Sequence, residues 1–289
     1  GEDAQRRRIA RSADLGELLE ALRSGGDPIS WPPARLAAAF HRLARHGGGR
    51  RGATAAAAAR GAAERLAVTL ADRDFAEFST RQLANLAYAW GMLRFRPPAL
   101  LSALCAQGLD RLEEFSARDV SNTVYALGLL RFEHSSLLRA VCTSMPGRLS
   151  EFNSQDISNL VYSLGLLGYR DDEFLDAALG HAAGRLGDYR AQEISILAYA
   201  LGLLGLRHRV FLWAVCAQSP CRLGEFKPQE ISNLLYALGR LDVIHCAFLR
   251  ALCAHLPGRL AEFNAQGLST VACAFVLLGI GRGPGTASA

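Results

Sequence analysis

The sequence predicts an all-α protein, a right-handed α-solenoid of about six and a half 37-residue helix-pair repeats. Three observations predict it. An aromatic residue returns at Phe78, Phe115, Phe152, Tyr189, Phe226 and Phe263, always 37 residues apart. Tyr88, Tyr125, Tyr162, Tyr199 and Tyr236 keep the same register, as do Gly91, Gly128, Gly165, Gly202 and Gly239. Between these markers the apolar residues follow the helical period, and the alternation of a strand is absent.

Residues 1–28 form an Arg-containing extension, and residues 29–73 form a divergent capping repeat. Within the latter, "PPARLAAAFHRLARHG" reads as a worn first helix. Aligning Leu36 with Leu83 leaves about ten extra residues, assigned to the Gly-rich turn before "ATAAAAAR". Residues 74–281 carry the regular repeats. In each, helix A starts at a capping pair (Ser79 with Gln82, Ser116 with Asp119, Asn153 with Asp156) or at a proline, Pro228. Gly168 and Gly205 end two of the A helices, while Arg131 and Asp242 stand in that place elsewhere and imply a different turn there. Helix B follows, as in "SSLLRAVCTSM". Helix A is apolar on nearly all sides, so each pair must pack between neighbours. Helices packed about 8–10 Å apart make a rod roughly 60 Å long. The last repeat is a lone helix A, and 282–289 is a loose tail.

Of 289 residues, 50% are hydrophobic and 20% charged, with a formal charge of +5. Residues 1–75 hold 13 Arg against 9 acids, so the excess leans to the N-terminal part. Cys105, Cys142, Cys216 and Cys253 share a column with Leu179, which predicts reduced thiols buried between helices. No paired CxxC motifs point to zinc, and no apolar run is long enough to span a membrane. The seven histidines do not cluster, and no phosphate loop, HExxH or nucleophile elbow is present. The expectation is a protein without enzymatic activity, metal or small-molecule cofactor.

On a helical wheel Arg118, Asn122, Tyr125 and Leu129 share one stripe. It repeats as Arg81, Asn85, Tyr88 and Met92, and as Gln155, Asn159, Tyr162 and Leu166. Gln192, Ile196 and Tyr199 continue it, then Gln229, Asn233 and Tyr236. Amides and aromatic rings suit unpaired RNA bases. The same Asn and Tyr could instead tie one repeat to the next. A second column, Arg111, Arg148, Arg185, Arg222 and Arg259, could track phosphates. Each is followed three residues later by an acid (Glu114, Glu151, Asp188, Glu225, Glu262), so local pairing is the competing explanation. Arg6, Arg7, Arg8, Arg50 and Arg51 complete the candidate RNA contacts.

At these residues, "FNSQDISNLVYSLGLLG" and "FKPQEISNLLYALGRL" resemble the octotricopeptide and heptatricopeptide repeats of organellar RNA-binding proteins, related to those of RAP-domain proteins. The family usually has Trp where this chain has the Tyr column. The resemblance implies a soluble, non-catalytic protein of an organelle, the mitochondrion ahead of the chloroplast, with RNA and neighbouring proteins of a large complex as partners. Its base-contacting zone would correspond to Arg81, Arg118, Gln155, Gln192 and Gln229. A structural component of an organellar ribosome or other ribonucleoprotein is expected. A protein-only scaffold and a free RNA-maturation or translation factor are the alternatives. Helix A hardly varies between repeats, which argues for holding RNA by phosphate and shape rather than by sequence.

Overall fold

The computed structural model describes residues 7–9, 11–48 and 52–280. Helices and short 3-10 turns make up its regular structure, and no strand occurs among the described residues. The chain divides into two compact units, Gly1–Met145 and Pro146–Ala289.

Unit 1 contains α1 (Leu15–Arg23), α2 (Pro33–Gly47), α3 (Ala53–Val68), α4 (Thr80–Leu93), α5 (Pro98–Asp110), α6 (Ala117–Leu130) and α7 (Ser135–Ser144). The A-type helices α2, α4 and α6 pack side by side, with α3 and α5 behind them and α5 on α7. Unit 2 contains α8 (Ser154–Leu167), α9 (Asp172–Ala183), α10 (Ala191–Leu204), α11 (Arg209–Gln218), α12 (Pro228–Arg240), α13 (Cys246–His255) and α14 (Ala265–Leu277). Its A layer runs α8, α10, α12, α14, and its B layer runs α9, α11, α13. Each unit is a two-layer stack of helix pairs, consistent with the expected right-handed solenoid.

The recurrent glycine explains how A helices approach so closely. A Cβ added at Gly91 would lie 2.9 Å from the Cα of Ala126. At Gly165 it would lie 3.2 Å from the Cα of Ala200, and at Gly239 3.1 Å from that of Ala274. Glycine is therefore required by the neighbouring backbone. A serine two turns earlier in some of these helices adds a polar tie. Ser158 Oγ donates to the carbonyl of Glu193 at 3.4 Å and Ser232 Oγ to that of Gly267 at 3.3 Å.

The starts of the A helices follow the capping signals. Ser79 and Gln82 form a reciprocal box, as do Asn153 and Asp156. At Ser116 only half of it forms, because the hydroxyl accepts from the Asp119 amide but donates to the Asp119 carboxylate at 2.6 Å. Their ends correct one expectation. Arg94, Arg131 and Asp242 do not need another turn: they adopt φ of 54°, 51° and 51°, beside 69° and 63° at Gly168 and Gly205. All five positions close the same Schellman turn, in which the next residue's amide bonds five residues back, as from Phe95 to Trp90 and from Leu206 to Leu201, both at 3.0 Å.

The cysteine column also departs from its expectation. Cys105, Cys142 and Cys216 are buried free thiols, but Cys253 is exposed. Its face of α13 is the one that a following helix B would cover, and no such helix follows among the described residues. Burial pushes the thiols of Cys105 and Cys216 up to about 12, which keeps them protonated and inert.

Candidate nucleic-acid interface

The first turns of the A helices present Arg81, Arg118, Gln155, Gln192 and Gln229, all exposed. Residue type divides this series: the positions in unit 1 are cationic and those in unit 2 are neutral. The whole-chain charge divides in the same way. Residues 1–145 hold 20 Arg against 15 acids, whereas 146–289 hold 12 cations against 12 acids.

Behind the leading position, Asn85, Asn122, Asn159 and Asn233 are half-buried. Neighbouring A helices in unit 2 are tied by the serine before the asparagine, at Ser158 and Ser232, and by Arg240, whose Nε donates to the Gly202 carbonyl at 3.0 Å. Asn233 accepts within its own helix from Gln229 at 3.0 Å. The tyrosines are half-buried and lean on one another. Ring centroids of Tyr88 and Tyr125 are 6.5 Å apart, and those of Tyr199 and Tyr236 are 5.1 Å apart. Tyr236 also lies against Gly202, where an added Cβ would be 3.0 Å from its ring. Part of each aromatic surface is thus used by the stack, and the rest faces outward.

In unit 1 an open cleft of about 500 Å³ lies between α2 and α4, rimmed by His41, Arg42, Arg81, Gln82 and Asn85. No acidic side chain lines it. Arg42 is anchored, donating to the carbonyl of Ser12. Partial burial first, then Arg42 and Arg45, push the His41 imidazole below its ordinary range, so at neutral pH it is an uncharged hydrogen-bonding ring. Two guanidiniums, two amides and a neutral imidazole without an acid can bind an anion and the edge of an attached base. A cleft of about 420 Å³ at the starts of α10 and α12 in unit 2 differs in kind. Arg190, Arg222 and Lys227 there are matched by Asp188, Glu225 and Glu230.

The Arg column is held in place. Arg111 donates to the carbonyl of Phe78 at 2.8 Å and grips Glu114 with a second edge at 2.7 Å. Arg222 does the same with Tyr189 at 2.8 Å and Glu225 at 2.9 Å, and Arg259 with Phe226 at 2.9 Å and Glu262 at 2.8 Å. The guanidinium hydrogen bond holds each of these carboxyls below its ordinary range. Arg148 pairs with Glu151 at 2.8 Å. Arg185 is more exposed and bonds Asp188 at 2.9 Å and the His181 ring at 3.1 Å. Arg111, Arg222 and Arg259 bridge repeats first, and any ligand would meet a charge already shared.

At the N-terminal end Arg7 and Arg8 are exposed on a cleft of about 560 Å³ that also takes in Arg11, Glu17 and Glu20. Arg6, Arg50 and Arg51 lie outside the described residues. Sequence reasoning missed His41 and Arg42. The alignment of Leu36 with Leu83 carried a signal, because it places His41 in the tyrosine column.

Among the described residues, no group of three or more His, Cys, Asp or Glu could hold a metal ion, and no helix is long and apolar enough to cross a membrane. Residues 53–275 match a family model described as "RESC6: RNA-editing substrate-binding complex 6 protein". No curated protein matches the chain.

Proposed function

Because the chain belongs to that family and is a non-catalytic component of a mitochondrial RNA-editing, substrate-binding complex, we propose that unit 1 holds RNA by its phosphates. The contact surface is the cleft between α2 and α4 and its continuation along α6, with Arg42, Arg81 and Arg118 as cations and Asn85, Asn122 and His41 as adaptable partners. The observation that carries this reading is the acid-free cleft in the unit that holds all of the formal charge excess. Phosphate contacts position a protein without reading sequence, and the uniformity of the A helices fits such a role. The octotricopeptide-like pattern of the repeats supports the same reading. The family description favours an editing complex over the ribosome expected from the sequence.

In unit 2 a second reading has its own support. The counterpart positions Gln155, Gln192 and Gln229 are neutral, and the Arg column is occupied by carboxylates and carbonyls. Val210 and Trp213 on α11, and Ile244 in the connection before α13, are 67%, 52% and 51% exposed. Trp213 packs edge-on against His245, with ring centroids 5.0 Å apart, which brings Ile244 to the same patch. Large apolar side chains gathered in this way suit a protein neighbour. Unit 2 is thus read as the side that attaches to the complex.

The test is the Arg81→Ala, Arg118→Ala double variant. Affinity for unrelated RNAs should fall by similar factors, about tenfold at low salt, with a shallower salt dependence. Unchanged affinity and slope, with attachment to a protein neighbour lost instead, would replace the RNA reading of unit 1 by a scaffold.

A further inference from the structure

The apolar patch of unit 2 stands at positions where the sister repeats are mostly polar. Trp213 occupies the column of Ser102, Arg139, Asp176 and Arg250. Ile244 occupies the column of Arg96, Glu133, Arg170 and Arg207, and Val210 that of Ala99, Ser136, Glu173 and Ala247. The helix pair folds without large apolar side chains at these places, so the stack does not account for them. The indole N–H of Trp213 meets no acceptor among the described residues. A half-exposed tryptophan with an open donor is the residue type that anchors the centre of a protein interface.

The charges around the patch are polarised rather than of one sign. Helices α9, α11 and α13 lie side by side in that order. The 37-residue period sets Asp176, Trp213 and Arg250 in one row across them. Asp176 accepts from the His208 ring at 3.1 Å, and the other ring nitrogen accepts from the Phe211 amide. That ring is therefore the neutral tautomer, and the carboxylate keeps its charge. Glu173, nearly one turn earlier on α9, is exposed and in no ion pair, and the same holds for Arg250 and for Arg209 at the start of α11. The other rim charges cancel locally, Arg170 with Asp172 at 2.6 Å and Arg207 with Asp242 at 3.2 Å. Two acids on one side are thus set against two cations on the centre and far side, and the face has no net charge to attract a polyanion.

We propose that the neighbour of unit 2 is a second copy of this chain, docked through α9, α11 and α13; this rests on reading unit 2 as the attachment side. A two-fold contact requires one surface to complement itself. An axis through Trp213 lays α11 antiparallel on its copy and brings the two indoles together. It places Arg250 of each chain over Asp176 of the other. Val210 then falls about one turn beyond the copy's Trp213, where Gly180, Ala217 and Ala254 are small and exposed and leave room for it. The three helices have 12, 10 and 10 residues. They make a face roughly 30 Å by 15 Å. This is at the small end for a specific interface, so the dimer should dissociate in the micromolar range.

The test is sedimentation velocity of the full chain, free of RNA, from about 1 to 100 μM. The chain should pass from monomer to dimer across this range. Trp213→Ala and Arg250→Glu should each weaken the dimer by about tenfold or more. Both side chains are exposed, so the melting temperature should not change. Arg250→Glu combined with Asp176→Arg should restore the dimer, because the swap leaves every cross-chain pair matched. Trp31 and Trp90 are buried. Acrylamide quenching of tryptophan fluorescence therefore reports on Trp213, and it should fall as concentration rises. A chain that stays monomeric at the highest concentration would overturn the proposal, and so would a dimer indifferent to Trp213→Ala and Arg250→Glu. Loss of attachment to the complex on Trp213→Ala, in a chain that stays monomeric, would overturn the second copy alone and leave unit 2 as the attachment side for a different protein.

Discussion

Units 1 and 2 are built from the same helix pair, yet they answer differently wherever the fold leaves a choice. The first A-helix position is Arg in unit 1 and Gln in unit 2. The closing turn is Arg in unit 1, and Gly or Asp in unit 2. The clefts at the helix starts are acid-free in one and charge-matched in the other. Where the stack dictates, they agree: Gly91 and Gly165 face Ala126 and Ala200 in the same way. Uniform positions therefore report on packing, and the positions that differ between units report on what each unit touches.

The largest expected effect tests the shared part. Gly91→Val should destabilise unit 1 by about 2 kcal/mol or more, since its side chain would press on the α6 backbone and packed A helices have no room to yield. Gly147→Val, where an added Cβ meets nothing within 4 Å, should cost much less in the same chemical-denaturation experiment. Equal costs would mean that glycine serves the turn chemistry rather than helix approach.

Next come the positions that differ. Arg81→Ala with Arg118→Ala should weaken RNA binding by about tenfold, and the matched Gln192→Ala with Gln229→Ala by less than twofold. Equal losses in a filter-binding titration would erase the functional contrast between the units.

A smaller effect separates two members of the Arg column. Arg222→Ala removes a bond to the Tyr189 carbonyl as well as the pair with Glu225, and should cost about 1–2 kcal/mol. Arg185→Ala loses the exposed Asp188 pair and a contact to His181, and should cost under about 1 kcal/mol. Thermal melting in parallel gives the comparison.

The smallest perturbation is thiol labelling of the native protein. Cys221, Cys246, Cys253 and Cys273 are exposed and all lie in unit 2, whereas Cys105 and Cys142 of unit 1 are buried. Maleimide at neutral pH should modify those four quickly. Cys105 and Cys216, pushed up to about 12 by burial, should react only on unfolding. Fast modification of Cys105 would mean that the A and B layers of unit 1 open readily.

How much of this was legible in the sequence depends on whether a residue acts locally. The period, the capping pairs and the glycine column are local or strictly repeated, so the helix pairs could be read directly. Arg94 and Arg131 were not legible as left-handed residues, because the usual signal for that turn is Gly and the structure forces the same backbone on Arg. Cys253 was misread because its burial depends on a following helix B, not on its own repeat. The Arg column was ambiguous for a physical reason: a guanidinium has enough donors to hold a carboxylate, a carbonyl and a ligand, and only coordinates show that Arg111, Arg222 and Arg259 already use two of these. His41 and Arg42 required the register of the divergent first repeat.

The proposed RNA contact in unit 1 is open to direct mapping. Ultraviolet crosslinking of the full chain to oligo(U) RNA, followed by mass-spectrometric mapping of the modified peptides, tests it most directly. Crosslinks should concentrate in residues 34–131, on peptides carrying His41, Arg81, Tyr88 and Tyr125, and should be lost progressively as salt is raised. Crosslinks concentrated instead on the Gln192 and Gln229 peptides of unit 2, with unit 1 unmarked, would contradict it.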